Sequence, residues 1–308
     1  MINITLKQLR YFDAVTRAGH FGRAAESCAI SQPAMSMQIK ELEQTLGVSL
    51  FDRSARKVRL TTFGEAFSVR VRELLRATDE LGDMARAARD GLMGRLRLGI
   101  IPTIAPYLLP SLIGDLTERH AGLDIHVRES LTPRLLQELS DGRIDAAIVA
   151  LPISEPAFTE VALFTENFLL VRQIGARDEP VPSPASLREM RLLLLEEGHC
   201  FRDQALSFCH IRSALPRETL DGSSLSTLVQ MVGAGIGVTL IPEMAADVET
   251  RSAAVAVARF GEPQPSRTVG MIWRKTSPLA PQLAEVAEVV RRSAAALREK
   301  HSQATLAA

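Results

Sequence analysis

Apolar residues at Leu6, Leu9, Phe12 and Val15 recur at helical spacing, and a second short helical run, HFGRAAESCAI, follows. The next segment, SQPAMSMQIKELEQTLG, opens on Ser31, a good N-cap. It carries Pro33 within the first turn and closes on Gly47, a fitting C-cap. Met35, Ile39, Leu42 and Leu46 fall at i, i+4, i+7 and i+11 and define its buried face, while Gln32, Ser36 and Lys40 lie on another face. VSLFDRSARKVRLT then alternates, carries four basic residues and predicts a β-hairpin. Two short helices, a polar-faced third and a basic hairpin form a winged helix-turn-helix pattern. The competing reading is an ordinary three-helix unit with a solvated polar face; the basic hairpin narrows the gap between the two. Gln and Ser can hydrogen-bond base edges, whereas Arg and Lys suit phosphates. The candidate DNA-facing residues are therefore Ser31, Gln32, Pro33, Ser36, Gln38 and Lys40 on the third helix, with Gln32, Pro33 and Ser36 at base edges. Arg53, Arg56 and Lys57 of the hairpin are candidates for phosphate contact.

Thr62 to about Arg89 reads as one long helix. Its apolar positions Phe67, Val71, Leu74, Thr78, Leu81 and Ala85 alternate spacings of four and three, a heptad seam that calls for a partner helix. From GLMGRLRLGII onward the pattern changes. Strand-like runs (LRLGII, LDIHVRE, IDAAIVA, RLLLLEE, GVTLIP, TVGMIW) alternate with helical runs, which implies an α/β fold of parallel sheets covered by helices. The expected division is a DNA-binding domain over 1–61, a linker and dimerisation helix over 62–91 and a two-lobed regulatory domain over 92–308. Lobe I would comprise approximately 92–164 plus 267–308, and lobe II approximately 165–266, with a cleft between them. The GAGIG run at Gly233–Gly237 follows a helix and is a turn into a strand rather than a dinucleotide fingerprint.

Composition adds an asymmetry. Formal net charge over the 308 residues is zero, yet residues 1–60 hold nine Lys/Arg against five Asp/Glu, and the remainder 27 against 31. A basic head on an acidic body hints at a polyanionic partner. The N-terminus carries no basic-then-apolar leader, and no apolar stretch approaches the roughly 18 residues that a membrane helix needs. Three cysteines are not a disulfide framework, so a cytoplasmic protein without membrane contact is expected.

The chemistry concentrates in LLLLEEGHCFRDQALSFCHIR. Cys200 follows His199, with Arg202 two residues on and a second thiol at Cys209. A thiolate attacks peroxides and a thiol hardly does; nearby cations or a helix N-terminus favour the thiolate. The alternative is that Cys200 is a small buried hydrophobe and His199 a satisfied core residue. Cys28 reads as packing. The remaining histidines lack metal-ligand spacing, and neither a metal nor a cofactor is expected.

LRYFDAV, HFGRAAESCAISQPAMSMQIKELEQTLGVSLFDR and VRLTTFGEAF resemble the N-terminal domain of LysR-type transcriptional regulators. The body resembles their two-lobed, periplasmic-binding-protein-like effector domain. LGIIPTIAPYLLP and EEGHCFRDQALSFC resemble the peroxide-sensing branch of that family. The resemblance implies a redox-sensing activator of oxidative-stress genes rather than an enzyme. It implies that Cys200 is the peroxide-reactive cysteine and Cys209 the resolving one. His199, Arg202 and Asp203 match the flanking motif, and Thr103 and Thr132 match hydroxyls lining the peroxide pocket. It also implies as partners double-stranded operator DNA, hydrogen peroxide, further copies of the chain in a dimer of dimers, RNA polymerase and a thiol reductant. In a continuous helix Cys200 and Cys209 would lie about 13–14 Å apart along the axis, whereas a disulfide tolerates a Cα separation of at most about 7 Å. Bond formation would therefore have to melt the helix and act as the switch. Two other readings stand beside this one: a regulator of the same family sensing a small organic ligand in the cleft, and a thiol peroxidase.

Overall fold

The computed structural model describes residues 3–52, 58–87, 94–187, 189–209 and 221–306. The chain divides into two compact units, Met1–Ala85 and Arg86–Ala308.

In the first unit, α1 (Leu6–Ala18), α2 (Phe21–Ser27) and α3 (Gln32–Leu46) precede a two-stranded hairpin, β1 (Phe51–Asp52) and β2 (Arg59–Leu60), and the start of α4 (Thr62–Ala87). Local chemistry sets each boundary. Thr5 and Gln8 form a reciprocal capping box on α1, and Gly19 ends that helix in the left-handed conformation at φ 59°. Ser31 accepts from the Ala34 amide at the start of α3, and Gly47 closes it at φ 69°. Met35, Ile39 and Leu42 are buried, as their spacing predicts. They meet an aromatic cluster in which Phe12 lies 5.4 Å from Phe51 and 5.3 Å from Phe67. The hairpin pairs antiparallel, Phe51 with Leu60 and Asp52 with Arg59. Arg53, Arg56 and Lys57 lie outside the described residues.

Glu43 joins α3 to the hairpin. Its carboxylate is buried and accepts the Leu50 and Phe51 amides at 2.7 and 3.2 Å. The start of α4 also abuts this strand: a Cβ at Gly64 would stand 2.2 Å from the Leu50 carbonyl oxygen, so only glycine fits. One expectation changes at α4. Phe67 and Val71 pack into the first unit's own core, and the seam is free only beyond them, where Leu74, Leu81 and Met84 are exposed.

The second unit links nine strands in the order β4-β3-β5-β11-β6-β9-β7-β8, with β10 on β6. In chain order these are β3 (Gly94–Ile100), α5 (Ala105–Arg119), β4 (Leu123–Glu129), α6 (Thr132–Ser140), β5 (Ala146–Leu151), β6 (Phe158–Gln173), α7 (Pro184–Leu187) and β7 (Leu192–Leu195). Then follow α8 (Cys200–Phe208), β8 (Asp221–Gly222), α9 (Leu225–Gly233), β9 (Val238–Pro242), α10 (Ala246–Glu249), β10 (Val255–Arg259), β11 (Ser266–Arg274) and α11 (Ala280–Leu306). The sheet is mixed rather than all parallel. β3 runs parallel to β4 and β5, and β7 parallel to β8 and β9, but β6 and β11 pair antiparallel with all their partners. The reason is connectivity. β6 pairs with β11 up to Asn167 and with β9 and β10 from Phe168 onward, so it carries the chain from one strand group to the other and β11 brings it back.

Replacing Glu43 with Leu strands two buried amides. It should destabilise the first unit by about 1–3 kcal/mol, seen as a lower urea midpoint with an unchanged slope. An unaltered midpoint would show that the carboxylate does not hold hairpin to helix.

Candidate functional site

A recess of about 170 Å³, part of it open to solvent, is lined by Ile101, Pro102, Thr103, Leu131, Thr132, Gly198, His199 and Cys200. Four of the residues predicted for peroxide chemistry, Thr103, Thr132, His199 and Cys200, therefore share one pocket despite wide separation in sequence.

Its walls are the starts of three helices. Thr103 precedes α5, Thr132 opens α6 and Cys200 opens α8, and none of these helices has a side-chain N-cap. Most of their first-turn amides are already bonded within the chain, as Ala105 is to the Ile101 carbonyl and Arg134 to that of Leu131, so it is the positive dipole ends meeting at the recess that favour negative charge there. Gly198 adopts φ 96°, and a Cβ there would meet Leu131 at 3.0 Å, so glycine lets the two walls approach.

Thr103 is buried. Its hydroxyl accepts from Arg267 Nη1 at 2.8 Å and its carbonyl from Nη2 at 3.0 Å. With that acceptor role filled, its own proton remains to be donated. The hydroxyl oxygen of Thr132 is buried with no hydrogen-bond partner among the described residues. Such an oxygen is costly unless a small polar ligand or water satisfies it. Gln204, one turn along α8 from Cys200, likewise has a buried and unpartnered Oε1.

Arg267 and Gln204 were not anticipated from the sequence. The Arg267 guanidinium is wholly buried, pairs with Glu166 at 2.6 Å and lies 5.5 Å from the centre of the Phe201 ring. Glu166 in turn accepts the Met244 amide at 3.3 Å. No local motif marks this cluster, because Arg267 and Thr103 stand 164 positions apart.

The expected cationic flank of Cys200 is corrected. Arg202 donates to the Leu195 carbonyl and to Asp221, each at 2.7 Å, and so staples α8 to β7 and β8. Asp203 is exposed and, like Arg202, does not line the recess. His199 is buried, and burial pushes its pKa below the ordinary 6.5, with the Glu196 carboxylate opposing. The imidazole is thus held toward its neutral form.

Cys200 is half-buried at the first position of α8, and Cys209 is fully buried at its C-cap. Neither is in a disulfide. Phe201 packs edge-on against Phe168 at 4.8 Å, and Phe208 against Phe260 at 5.1 Å. Cys28 caps α2 and packs against the first unit's core, in line with its structural reading.

In the first unit, Ser31, Gln32, Pro33, Ser36 and Lys40 are all exposed on α3, whereas Gln38 is half-buried and donates to Glu41 at 2.8 Å.

Comparisons with known proteins agree across both units. Residues 6–65 match the bacterial regulatory helix-turn-helix protein model of the lysR family, and residues 89–295 match the LysR substrate binding domain. The chain is 42% identical over 293 residues to a probable hydrogen peroxide-inducible genes activator of Streptomyces viridosporus, covering 93% of each. It is 39% identical over 291 residues to the DNA-binding transcriptional dual regulator OxyR of Escherichia coli K12, covering 94% of this chain and 95% of that one. Among solved structures, it superposes on a cysteine-to-serine mutant of Corynebacterium glutamicum OxyR with H2O2 bound. The TM-score is 0.67 at 34% identity, over 98% of this chain and 96% of that one.

The depressed pKa of His199 fixes the sign of a pH effect. Below pH 6.5 the unfolded chain takes up this proton more readily than the folded one. The contribution to stability is therefore complete above 6.5 and is lost as pH falls through the lower folded value. Unfolding followed through Trp273, the single tryptophan, at about pH 7.5 and about pH 5.5 should show a larger acid loss for wild type than for His199→Gln. Equal losses would remove His199 as the source.

Proposed function

The chain belongs to the LysR family, in its OxyR-like branch of hydrogen-peroxide-responsive transcriptional activators, and we propose that Cys200 is the atom-level sensor. The gathering of Cys200, His199, Thr103 and Thr132 at three uncapped helix starts carries this reading. The free hydroxyl proton of Thr103 and the unpartnered hydroxyl of Thr132 hold the peroxide. The neutral imidazole accepts the proton that leaves the reacting thiol. The Cys200 sulfur attacks one peroxide oxygen, the O–O bond breaks, and the second oxygen departs as hydroxide and is protonated to water. Cys200 is left as the sulfenic acid.

Cys209 completes the switch. Its thiol displaces water from the sulfenic acid and forms the Cys200–Cys209 disulfide. Along the intact α8 the two residues lie about 13–14 Å apart, about twice the Cα separation that a disulfide tolerates. Closure therefore unwinds α8 and takes Cys209 out of the core. A thiol reductant returns two electrons to reset the protein.

The rest of the molecule serves the output. α3 with Ser31, Gln32, Pro33, Ser36 and Lys40 addresses base edges in operator DNA, and Arg53, Arg56 and Lys57 address phosphates. Residues 62–91 act as the linker through which chains pair, with the exposed Leu74, Leu81 and Met84 as its contact stripe. Two such dimers form the working assembly, which engages RNA polymerase in the cytoplasm. The regulatory domain spans 92–308, with lobes at 92–164 plus 267–308 and at 165–266. The named relatives are regulators, and a thiol peroxidase would have no use for the helix-turn-helix unit.

Mass spectrometry after stoichiometric peroxide tests the sensor. Cys200→Ser should abolish the response, and Cys209→Ser should stop at the sulfenic acid and over-oxidise. Thr132→Val should slow thiol loss about tenfold at unchanged stability, because its hydroxyl holds nothing else. Thr103→Val should also destabilise the fold, by about 1–3 kcal/mol, because it leaves the buried Nη1 of Arg267 without its hydroxyl acceptor. A normal response in Cys200→Ser would reject the sensor assignment. For assembly, Leu74→Glu should leave the first unit folded and weaken self-association at least tenfold in sedimentation, since an unpaired carboxylate is costly in an apolar contact. Native mass at the same concentration would reject the stripe.

A further inference from the structure

We propose that Met37 selects a thymine in the operator by packing on its 5-methyl group, an inference that rests on the DNA-binding reading above. Met35, Ile39 and Leu42 turn inward on α3. Met37, two residues past Met35, is therefore roughly opposite that stripe, at about 200° around the helix. It is 56% exposed. Among the exposed large apolar residues of the described first unit, it alone belongs to α3; the others lie on α1, on α4 or at Val48. Pro33, one turn before it, and Lys40, close to one turn after it, are exposed on either side.

A helix-turn-helix lays the face of this helix turned away from the core into the major groove. The polar residues predicted from sequence, Gln32 and Ser36, lie to one side of Met37, about 140° and 100° around the helix, with Lys40 and Pro33 between. A thioether has no donor and is a weak acceptor, so it reads neither the hydrogen-bond code nor a phosphate. The apolar group on the floor of the major groove is the thymine methyl. An unbranched, polarizable side chain can adapt to that methyl without displacing its polar neighbours. Lys40 beside it, and the excess of Lys/Arg over Asp/Glu in residues 1–60, supply the attraction that brings the groove to this face. The expected selectivity is that of one methyl removed from water, about fourfold in affinity.

The test uses the full chain and a duplex that it selects itself from a random pool. Each thymine is replaced in turn by deoxyuridine, which removes only the methyl, and binding is followed by fluorescence anisotropy at two salt concentrations. One replacement per half-site should weaken wild type about fourfold, leave Met37→Ala indifferent and leave the salt dependence of both unchanged. Met37→Leu, which keeps an apolar side chain of similar reach, should restore the sensitivity. Wild type indifferent to every deoxyuridine, or Met37→Ala retaining the loss, overturns the proposal while leaving DNA binding intact. If no duplex is enriched, the DNA-binding reading itself falls and Met37 with it.

Discussion

The second unit turns on the buried pair of Arg267 and Glu166. Two opposite charges removed from water are tolerable only when their remaining hydrogen-bonding positions are filled, and removing one partner of such a pair typically costs about 3–5 kcal/mol. Here the filling groups come from distant parts of the chain: the hydroxyl and carbonyl of Thr103 before α5, and the Met244 amide after β9. The Phe201 ring lies against the same guanidinium. Satisfying one ion pair thus fixes a pocket wall, a strand end from the other strand group and the residue next to Cys200. Because β6 and β11 carry the pair and also connect the strand groups, the pocket sits where the sheet's two halves meet.

The second constraint is the weakness of α8. Nine residues are too few for a helix to persist alone in water. It survives because Phe201 and Phe208 anchor its ends against other rings and Arg202 pins it to β7 and β8. The segment is thus ordered by a small number of identifiable contacts, and on the proposed mechanism the chemistry acts at its first residue, Cys200, which is half-buried and packs against the core.

Much of this was legible in the chain. Caps and apolar spacing located α3 to the residue, because Ser31, Gly47 and the Met35–Ile39–Leu42 stripe are local signals. The strand β4 was read with its observed ends. β6 was missed: Thr, Glu and Asn are mixed among its apolar residues as far as Asn167, and the four apolar residues from Phe168 to Val171 then run together before Arg172, so it shows no sustained period of two. The antiparallel crossing strands followed from the same omission. In the site, a resemblance brought Thr103, Thr132, His199 and Cys200 to attention, and the fold placed them together. Adjacency in sequence misled at Arg202, whose partner Asp221 lies 19 positions away. The heptad reading of α4 could not distinguish Phe67 and Val71, which serve their own unit's core, from Leu74 and Leu81, which do not.

The placement of the two thiols at opposite ends of α8 also has a kinetic meaning. On the proposed mechanism the sulfenic acid must wait until the helix opens, and local opening of packed structure is slower the more stable that structure is. During this interval a second oxidant molecule can arrive and drive the sulfur to an irreversible state. At low oxidant flux the wait is harmless and nearly every event ends in closure. At high flux arrival overtakes opening, and a growing share of molecules is lost to the signal. The same anchoring rings that keep the resting protein silent therefore set an upper limit on the dose it can report, so threshold and ceiling are adjusted by one set of contacts.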